Sequence, residues 1–418
     1  MRERALRAIA ECRLIATMTE EPAETADGGI AEIGGTTRRF LTAPMHDVHR
    51  HLRSRMEALG MNVEVDAVGN LRGVWQPDAS THKRLLLGSH VDTVPHAGAF
   101  DGVLGVVLAL EWVVIAQEMH FPFAIEVIAF SEEEGVRFGA PFLGSRAVAG
   151  RFDAALLELT DTDGVRMDEA IRAFGLDPAV IDAAVMSADA TGFVEIHIEQ
   201  GPVLDVEGLP LAAVTAIAGQ TRLNLTFKGQ PNHAGTTPMH LRRDALAAAA
   251  EWMVEVEALA RRTDGLVATV GRITVDPNAT NVVPGRVHVS LDARHAADAI
   301  RTAAIEEVVA KANGIAATRK VTLERTNWLD QPSVPMDERL TAMLAEAIEA
   351  AGYESKRMPS GAGHDAMVMA ARVPTAMLFL RSPGGISHHP DETVLLEDVE
   401  ASLLVGREFL LRLASDVG

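Results

Sequence analysis

Acidic and imidazole side chains follow the ends of several short apolar runs in this chain of 418 residues. His90 and Asp92 come directly after the run RLLLGS, and Asp101 follows nine residues after Asp92. Three consecutive glutamates, residues 132–134, follow the run FAIEVIAF with only one serine between. Ligand sites of open α/β sheets lie beyond the carboxyl ends of the strands. If the two runs form neighbouring strands, we expect these groups to converge at one edge of a sheet.

Two further segments supply histidines that could join this cluster. The run FVEIHI contains His197 and leads into EQGP, while GGISHHPDE supplies His388 and His389 after an apolar run that ends near Leu380. A lone histidine is more often a structural residue, and a run of glutamates is usually a solvated face. Carboxylates buried at the end of an apolar strand, however, are costly unless a cation compensates them. Mixed imidazole and carboxylate ligands suit zinc, manganese, cobalt or nickel rather than calcium.

The elements that would position these side chains follow from the hydrophobic pattern. Residues 84–89 and 123–130 are short apolar runs, typical of strands covered on both faces. Residues 102–119 between them predict a buried helix, which completes a strand–helix–strand unit. We also predict a hairpin at 62–75, strands at 193–198 and 375–380, and helices at 45–59, 336–351 and 397–413.

The middle of the chain has a different pattern. We predict strands at 221–227, 266–274, 287–291 and 320–324, with helices at 243–261 and 298–312. This β-α-β-β-α-β order is a split βαβ arrangement, which can stand alone as an inserted domain. The predicted fold is therefore α/β: a discontinuous domain of residues 1–211 and 329–418, with a mixed sheet flanked by helices, and a ferredoxin-like α+β insert at residues 212–328.

Composition narrows the partners and the compartment. The net charge of −20 argues against nucleic acid as a partner and gives anionic lipid no basic surface. The single cysteine, Cys12, cannot form an internal disulfide, so we expect a reducing compartment, the cytoplasm. Charged residues interrupt the amino-terminal apolar positions, unlike those of a signal peptide, and no window approaches the roughly 18 apolar residues of a membrane span.

Six segments occur along the chain in this order: GSHVDTVPHAGAFDG, SEEEGVRF, HIEQGP, NHAGTTPM, SGAGHD and GISHHPDE. Together they resemble the amidohydrolase branch of the dinuclear-metal aminoacylase–carboxypeptidase superfamily, which is metallopeptidase-like. That branch includes allantoate amidohydrolase, N-carbamoyl-L-amino-acid hydrolase and β-ureidopropionase. The resemblance runs from about Ala8 to Leu413, nearly the whole chain.

The resemblance implies two divalent metal ions per subunit, Mn²⁺ or Zn²⁺, with Co²⁺ or Ni²⁺ as further choices. Asp101 would bridge the two ions. The remaining ligands would be His90, Glu134, His197 and His388. His389 stands where an asparagine is common in the family, and we favour its neighbour His388 as the ligand.

The resemblance also places the general base at Glu133, directly before the metal-binding glutamate. Chemistry agrees, because a base that takes a proton from an activated water should lie beside the metals without binding them. Asp92 would hold His90 in the correct tautomer. Glu132 is left without a catalytic role.

Further substrate contacts are implied at five positions. His233 in NHAGTTPM would reach the partner subunit's site and stabilise the oxyanion. Asn281 and Arg294 resemble the family's substrate-binding pair, and Arg294 is the candidate clamp for a substrate carboxylate. A structural salt bridge is the alternative for Arg294. Gln200 and His364 complete the set, and the insert would serve as the dimerisation or lid domain of a homodimer.

The predicted function is hydrolysis of a non-peptide carbon–nitrogen bond in a small anionic ureido or carbamoyl acid. Allantoate is the first choice, because AIAECRLIATMTEEP and TTRRFLTAPM look closer to allantoate amidohydrolases. N-carbamoyl-L-amino acids and N-carbamoyl-β-alanine are the alternatives. A metallopeptidase is disfavoured, because the segments HIEQGP and NHAGTTPM resemble the amidohydrolase branch in sequence. A metal-free binding protein is disfavoured because no expected ligand is missing.

Overall fold

The computed structural model describes residues 1–21, 35–78 and 83–416. Contacts divide the chain into two compact units. The first comprises Met1–Thr215, Met336–Met358 and Gly363–Gly418. The second comprises Ala216–Pro335 and the short segment Pro359–Ala362.

The helices and strands are numbered in chain order. The helices are α1 (Arg2–Ala16), α2 (Ala43–Ala58), α3 (Val103–Glu118), α4 (Leu143–Val148), α5 (Met167–Ala173), α6 (Val203–Glu207), α7 (Ala245–Arg262), α8 (Asp298–Arg319), α9 (Glu338–Ala350), α10 (Asp365–Met369) and α11 (Leu396–Asp416). The strands are β1 (Asn62–Val65), β2 (Leu71–Trp75), β3 (Arg84–His90), β4 (Ala124–Phe130), β5 (Ala190–Ile198), β6 (Leu211–Ile217), β7 (Gly219–Lys228), β8 (Asn232–His233), β9 (Val267–Asp276), β10 (Val282–Val283), β11 (Arg286–His295), β12 (Thr322–Gln331), β13 (Val334–Pro335), β14 (Lys356–Ser360) and β15 (Thr375–Leu380).

A mixed sheet forms the centre of the first unit, in the order β1-β2-β4-β3-β5-β15-β6. Strand β3 is parallel to both β4 and β5, and β15 is parallel to β5. The outer strands β1, β2 and β6 pair antiparallel. All residues of β4 and β15 are buried, as expected of strands covered on both faces. The predicted α/β class and the predicted strand–helix–strand unit are therefore confirmed, and the carboxyl ends of β3, β4, β5 and β15 share one edge.

Helices α1, α3, α9 and α11 pack together beside this sheet. Thirteen of the 16 residues of α3 are buried, which explains why the predicted helix is apolar all round. Helix α1 has no counterpart among the sequence predictions. Its charged residues lie on one face, and the other face buries Ala5, Ala8, Cys12 and Ile15 at helical spacing. Across the described residues, no helix has the length and apolarity that a membrane span requires.

The second unit contains a four-stranded antiparallel sheet in the order β12-β7-β11-β9. Helices α7 and α8 pack against the strands and against each other. Their shared core includes Phe227 and Trp252, and the Trp252 indole Nε1 donates to the Val308 carbonyl at 2.9 Å. The predicted β-α-β-β-α-β order is confirmed, with longer strands and a longer second helix than the sequence pattern indicates.

A buried ion-pair network joins three strands of the large sheet. Glu126 in β4 is 1% exposed. Its carboxylate accepts from the Arg72 Nε at 2.7 Å and from the Arg84 Nη1 at 2.8 Å. Arg84 begins β3 and His90 ends it, so the network lies away from the edge where the acidic and imidazole groups gather.

Replacing Glu126 with Ala should lower the free energy of unfolding by about 3–5 kcal/mol, because the buried guanidinium of Arg72 loses its counter-charge, whereas the partly exposed Arg84 keeps Asp189. Chemical denaturation monitored by circular dichroism measures the change. The control is Arg50→Ala, which removes the solvent-exposed Arg50–Asp47 pair and should have little effect. Equal losses in the two variants would contradict this account of the network.

Candidate metal centre

Acidic and imidazole side chains from four strand ends meet at the edge described above. His90 ends β3, and residues 132–134 follow β4 after one serine. His197 lies near the end of β5, and His388 follows β15. Asp101 comes from the loop that leads into α3. The parallel pairing of these strands brings together groups that are far apart in sequence.

Asp101 lies at the centre of the cluster and is 3% exposed. Its Oδ1 is 3.2 Å from the His197 Nε2 and 3.9 Å from the His90 Nε2. Its Oδ2 is 3.2 Å from the His388 Nε2. One carboxylate oxygen therefore faces each side of the cluster, as a bridging ligand would require.

The donor atoms form overlapping sets in which every atom lies within 4.8 Å of the others. Asp101 belongs to two of these sets. The four sets are His90–Asp101–His197, Asp101–Glu134–His388, His90–Glu133–Glu134 and Glu195–His197–His364. Imidazole and carboxylate donors in such numbers fit zinc or manganese. The residues present therefore fit the two divalent ions that the sequence predicts.

The pKa values in the cluster are shifted because several carboxylates are buried close together. Although burial opposes it, the hydrogen bond with His388 and the charge of His197 lower the pKa of Asp101 well below its ordinary value. The hydrogen bond with Asp101 and the charge of Glu134 raise the pKa of His388 to about 9. Burial and the charge of Asp101 raise the pKa of Glu134 to about 7. A bound cation would relieve the mutual repulsion of these carboxylates.

Burial dominates at His197, whose pKa falls to about 4 despite the nearby Asp101 charge. The ring is therefore held neutral, which is the form that binds a metal. Its Nδ1 is 2.9 Å from the carbonyl oxygen of Ile198, and this contact leaves Nε2 facing Asp101.

Asp92 connects the imidazole of His90 with the glutamate turn. Its Oδ1 accepts from the Glu133 backbone N–H at 2.9 Å, and its Oδ2 accepts from the Glu134 N–H at 3.1 Å. The His90 Nδ1 lies 3.4 Å from the Asp92 Oδ1 and 3.0 Å from the Asp92 carbonyl oxygen. Burial opposes protonation of His90, yet the hydrogen bond and charge of Asp92 raise its pKa well above the ordinary value.

The Glu133 carboxylate lies within 4.8 Å of donor atoms of His90 and Glu134, and the residue is 8% exposed. Burial, together with the charge of Glu134, raises the pKa of Glu133 well above its ordinary value. A carboxylate held next to the donor sets is well placed to exchange a proton with a reacting group there.

Gln200 and His364 also belong to this edge. The Gln200 Nε2 donates to both oxygens of Asp101 at 3.1 Å. The His364 ring packs edge-on against that of His197, with centroids 4.5 Å apart. His364 is 1% exposed and directly precedes α10, at its N-cap position.

The backbone adopts demanding conformations around the cluster. Gln200 has φ of 59° and His388 has φ of 55°, a left-handed region that costs a non-glycine residue about 1–3 kcal/mol. Gly102 has φ of 66°, and a Cβ there would lie 2.5 Å from the ring of His90. The surrounding structure holds these residues in place against that cost.

Two further acidic residues at this edge, Glu195 and Glu392, are absent from the site predicted from the sequence. Glu195 accepts from the Ser89 Oγ at 3.0 Å and from the Ala366 N–H at 2.8 Å, and so ties β3 and β5 to the start of α10. A charged residue inside the apolar run FVEIHI, two positions before His197, was the available signal. Glu392, the last residue of GISHHPDE, contacts the Asp101 loop.

Three predicted substrate contacts belong to the second unit. His233 and Asn281 lie close together on the small β8–β10 ladder, where the Ala234 N–H donates to the Asn281 carbonyl at 2.9 Å, and both are exposed. The Arg294 Nε and Nη2 donate to the two oxygens of Asp292 at 3.0 and 2.9 Å. The salt bridge considered as the alternative for Arg294 is therefore present. Arg294 also lines a cavity of about 660 Å³.

Residues 86–416 match the sequence profile of the family described as Peptidase family M20/M25/M40. The chain is 38% identical over 397 residues to allantoate deiminase of Arabidopsis thaliana, covering 86% of this chain and 75% of that protein. It is 39% identical over 383 residues to N-carbamoyl-L-amino acid amidohydrolase of Geobacillus stearothermophilus, covering 90% and 92%. A crystal structure of an amidase of the hydantoinase/carbamoylase family from Burkholderia multivorans superposes with a TM-score of 0.89 at 30% identity, covering 98% of each chain.

Replacing His388 with Ala should reduce the bound metal from about two ions per chain to about one, because the Asp101–Glu134–His388 set loses a donor. Metal content after dialysis, measured by mass spectrometry, tests this. His389→Ala is the matched control, since its Nδ1 accepts from the Asp391 N–H at 3.2 Å and the side chain is exposed. An equal loss in both variants would count against His388 as the ligand.

Proposed function

Because the chain belongs to the M20/M25/M40 peptidase family, in the branch of allantoate and N-carbamoyl-L-amino-acid amidohydrolases, we propose that it hydrolyses allantoate and releases ammonia and carbon dioxide. The family predicted from the six sequence motifs is confirmed. The protein is a hydrolase of carbon–nitrogen bonds other than peptide bonds. The observation that carries the proposal is the Asp101-centred pair of donor sets at the strand ends.

The choice of allantoate rests on the amino-terminal segments and on the allantoate deiminase relative. N-carbamoyl-L-amino acids are the second candidate, because the carbamoylase relative is equally similar. N-carbamoyl-β-alanine is the third. All three substrates carry a carboxylate and a ureido carbon, so the same chemistry applies to each.

The proposed mechanism begins with the metal ligands. Two divalent ions, manganese or zinc, with cobalt or nickel as further choices, would be held by five side chains: His90, Asp101, Glu134, His197 and His388. When bound, such ions polarise the scissile carbonyl and favour ionisation of the attacking water. Glu133 accepts the proton as the water oxygen bonds to the ureido carbon. It then delivers that proton to the terminal nitrogen, which leaves as ammonia when its bond to the ureido carbon breaks. The carbamic acid that remains loses carbon dioxide, and its second nitrogen stays on the product as an amine.

Asp92 supports the proposed base in two ways. Its two oxygens accept from the backbone N–H groups of Glu133 and Glu134, which fixes the turn that carries both carboxylates. Its contact with the His90 Nδ1 leaves Nε2 free to face Asp101. The base and the metal ligands are thereby oriented by a single side chain.

The proposed substrate contacts are Gln200, His364, Asn281 and Arg294. A guanidinium group has five N–H donors. Asp292 engages two of those of Arg294, and the Gly361 carbonyl accepts a third at 2.8 Å. Two donors are left for a substrate carboxylate, and the salt bridge with Asp292 fixes their direction. The ion pair and the clamp are therefore compatible roles.

We propose a homodimer in which the second unit serves as lid and dimerisation domain. His233 is exposed on the β8–β10 ladder. It would complete the partner's site and stabilise the oxyanion there. A two-fold pair is also the commonest oligomer of soluble proteins. We place the protein in the cytoplasm, where the buried thiol of Cys12 stays reduced.

Ammonia release by the manganese-loaded protein should be fastest with allantoate, slower with N-carbamoyl-L-amino acids and N-carbamoyl-β-alanine, and abolished by a chelator. A coupled glutamate dehydrogenase assay measures the rates. Preference for a carbamoyl amino acid would replace allantoate with the second candidate and leave the mechanism intact. Turnover that survives metal removal would contradict the mechanism.

Replacing Glu133 with Gln should lower kcat by at least about 100-fold, because the amide cannot accept the proton of the attacking water. Bound metal should be unchanged, since Glu133 acts beside the ligands. Single-turnover kinetics and metal analysis of the same preparation test both statements. A near-normal rate would exclude Glu133 as the base.

The same variant tests the shared site. Glu133→Gln and His233→Ala should each be inactive alone, yet the isolated mixed dimer should recover about half of the wild-type activity, because one of its two sites is then intact. Co-expression with two affinity tags isolates the mixed dimer. Failure to recover activity in isolated mixed dimers would place His233 outside the partner's site.

A further inference from the structure

Two of the segments that meet in the metal centre are joined by one carboxylate. Glu392 follows His388 by one turn of chain, and its Oε1 accepts from the backbone N–H groups of Phe100 and Asp101 at 3.0 and 2.9 Å. Its Oε2 accepts from the Ser387 Oγ at 3.0 Å. One oxygen therefore binds the segment of Asp101, and the other binds the segment of His388.

Glu392 is 4% exposed, so water cannot replace these hydrogen bonds without cost. Its backbone N–H donates to the His389 carbonyl at 3.0 Å, which closes the turn that begins directly after His388. The position of the carboxylate is therefore fixed by its own segment. The backbone of Asp101 is fixed in turn by that carboxylate.

Gly98 allows the two segments to approach this closely. A Cβ at position 98 would lie 2.4 Å from the Glu392 Cβ and 2.8 Å from its Oε1. Any side chain there would push Glu392 away from the N–H groups of Phe100 and Asp101. The hydrogen bonds of Glu392 to the Asp101 segment therefore require a glycine at position 98.

We infer that Glu392 is a positioning residue that sets the distance between Asp101 and His388, and that it thereby controls occupancy of the Asp101–Glu134–His388 donor set. The inference rests on the metal centre of the proposed function. The His90–Asp101–His197 set draws its other two donors from β3 and β5, whose positions the sheet fixes. His388 lies in a loop, so we expect its position relative to Asp101 to depend on Glu392.

The test is metal titration of the full-length protein against a competing chelator, with manganese and with zinc. Glu392→Ala should weaken binding of one of the two ions by about 10–100-fold, as expected when a residue that orients metal ligands is lost, and weaken the other much less, because both sets share Asp101 but only one contains His388. Glu392→Gln keeps one oxygen as an acceptor and should restore most of the affinity. Gly98→Ala should reproduce the loss while the carboxylate is still present.

The matched control is Glu126→Gln. Glu126 is also a buried carboxylate, and it lies in β4, towards the end of the strand that is remote from the metal centre. The substitution should lower the melting temperature and leave both metal affinities unchanged. Equal weakening of both ions in Glu392→Ala, or a loss of thermal stability without a change in metal binding, would overturn the inference. The wild-type titration needs no substrate, so a protein that binds two ions yet turns over no ureido acid would refute only the proposed function.

Discussion

The carboxylate of Asp101 is buried among three imidazoles and a second carboxylate, and the architecture around it makes that burial tolerable. An isolated charge in such a place would be expensive. Here one oxygen faces His197 and the other faces His388, while Gln200 donates to both. Parallel pairing of β3, β4, β5 and β15 brings the flanking groups together, so the register of the sheet determines the spacing of the site.

The support for this carboxylate comes at a local conformational cost. Gln200 and His388 adopt left-handed backbone conformations, and Gly102 and Gly98 occupy points where a Cβ would strike His90 or Glu392. Such strain persists only where the surrounding structure fixes it. The large buried core of the first unit, with α3 enclosed on nearly all sides, supplies that rigidity.

The strands and helices with strong periodicity could be predicted from the sequence, and so could the order of the inserted unit. The apolar pattern is compatible with only one type of element in each of three segments, residues 84–89, 102–119 and 123–130. Helix α1 was missed because its charges obscure a narrow buried stripe. The donor groups could be predicted because their residue types are unusual at strand ends. Glu195 and Glu392 could not, because their roles depend on hydrogen bonds to backbone groups distant in sequence.

The place of β15 in the sheet has a consequence for synthesis of the chain. Strand β15 covers the edge of β5, yet it is translated after the whole second unit. Until then β5, an apolar strand that carries Glu195 and His197, presents open backbone donors and acceptors on a ribosome-bound intermediate. The donor set that includes His388 is incomplete over the same interval. Occupancy of that set therefore requires that the carboxyl-terminal strand has docked, and a nascent chain stalled before residue 375 retains a sheet edge prone to association.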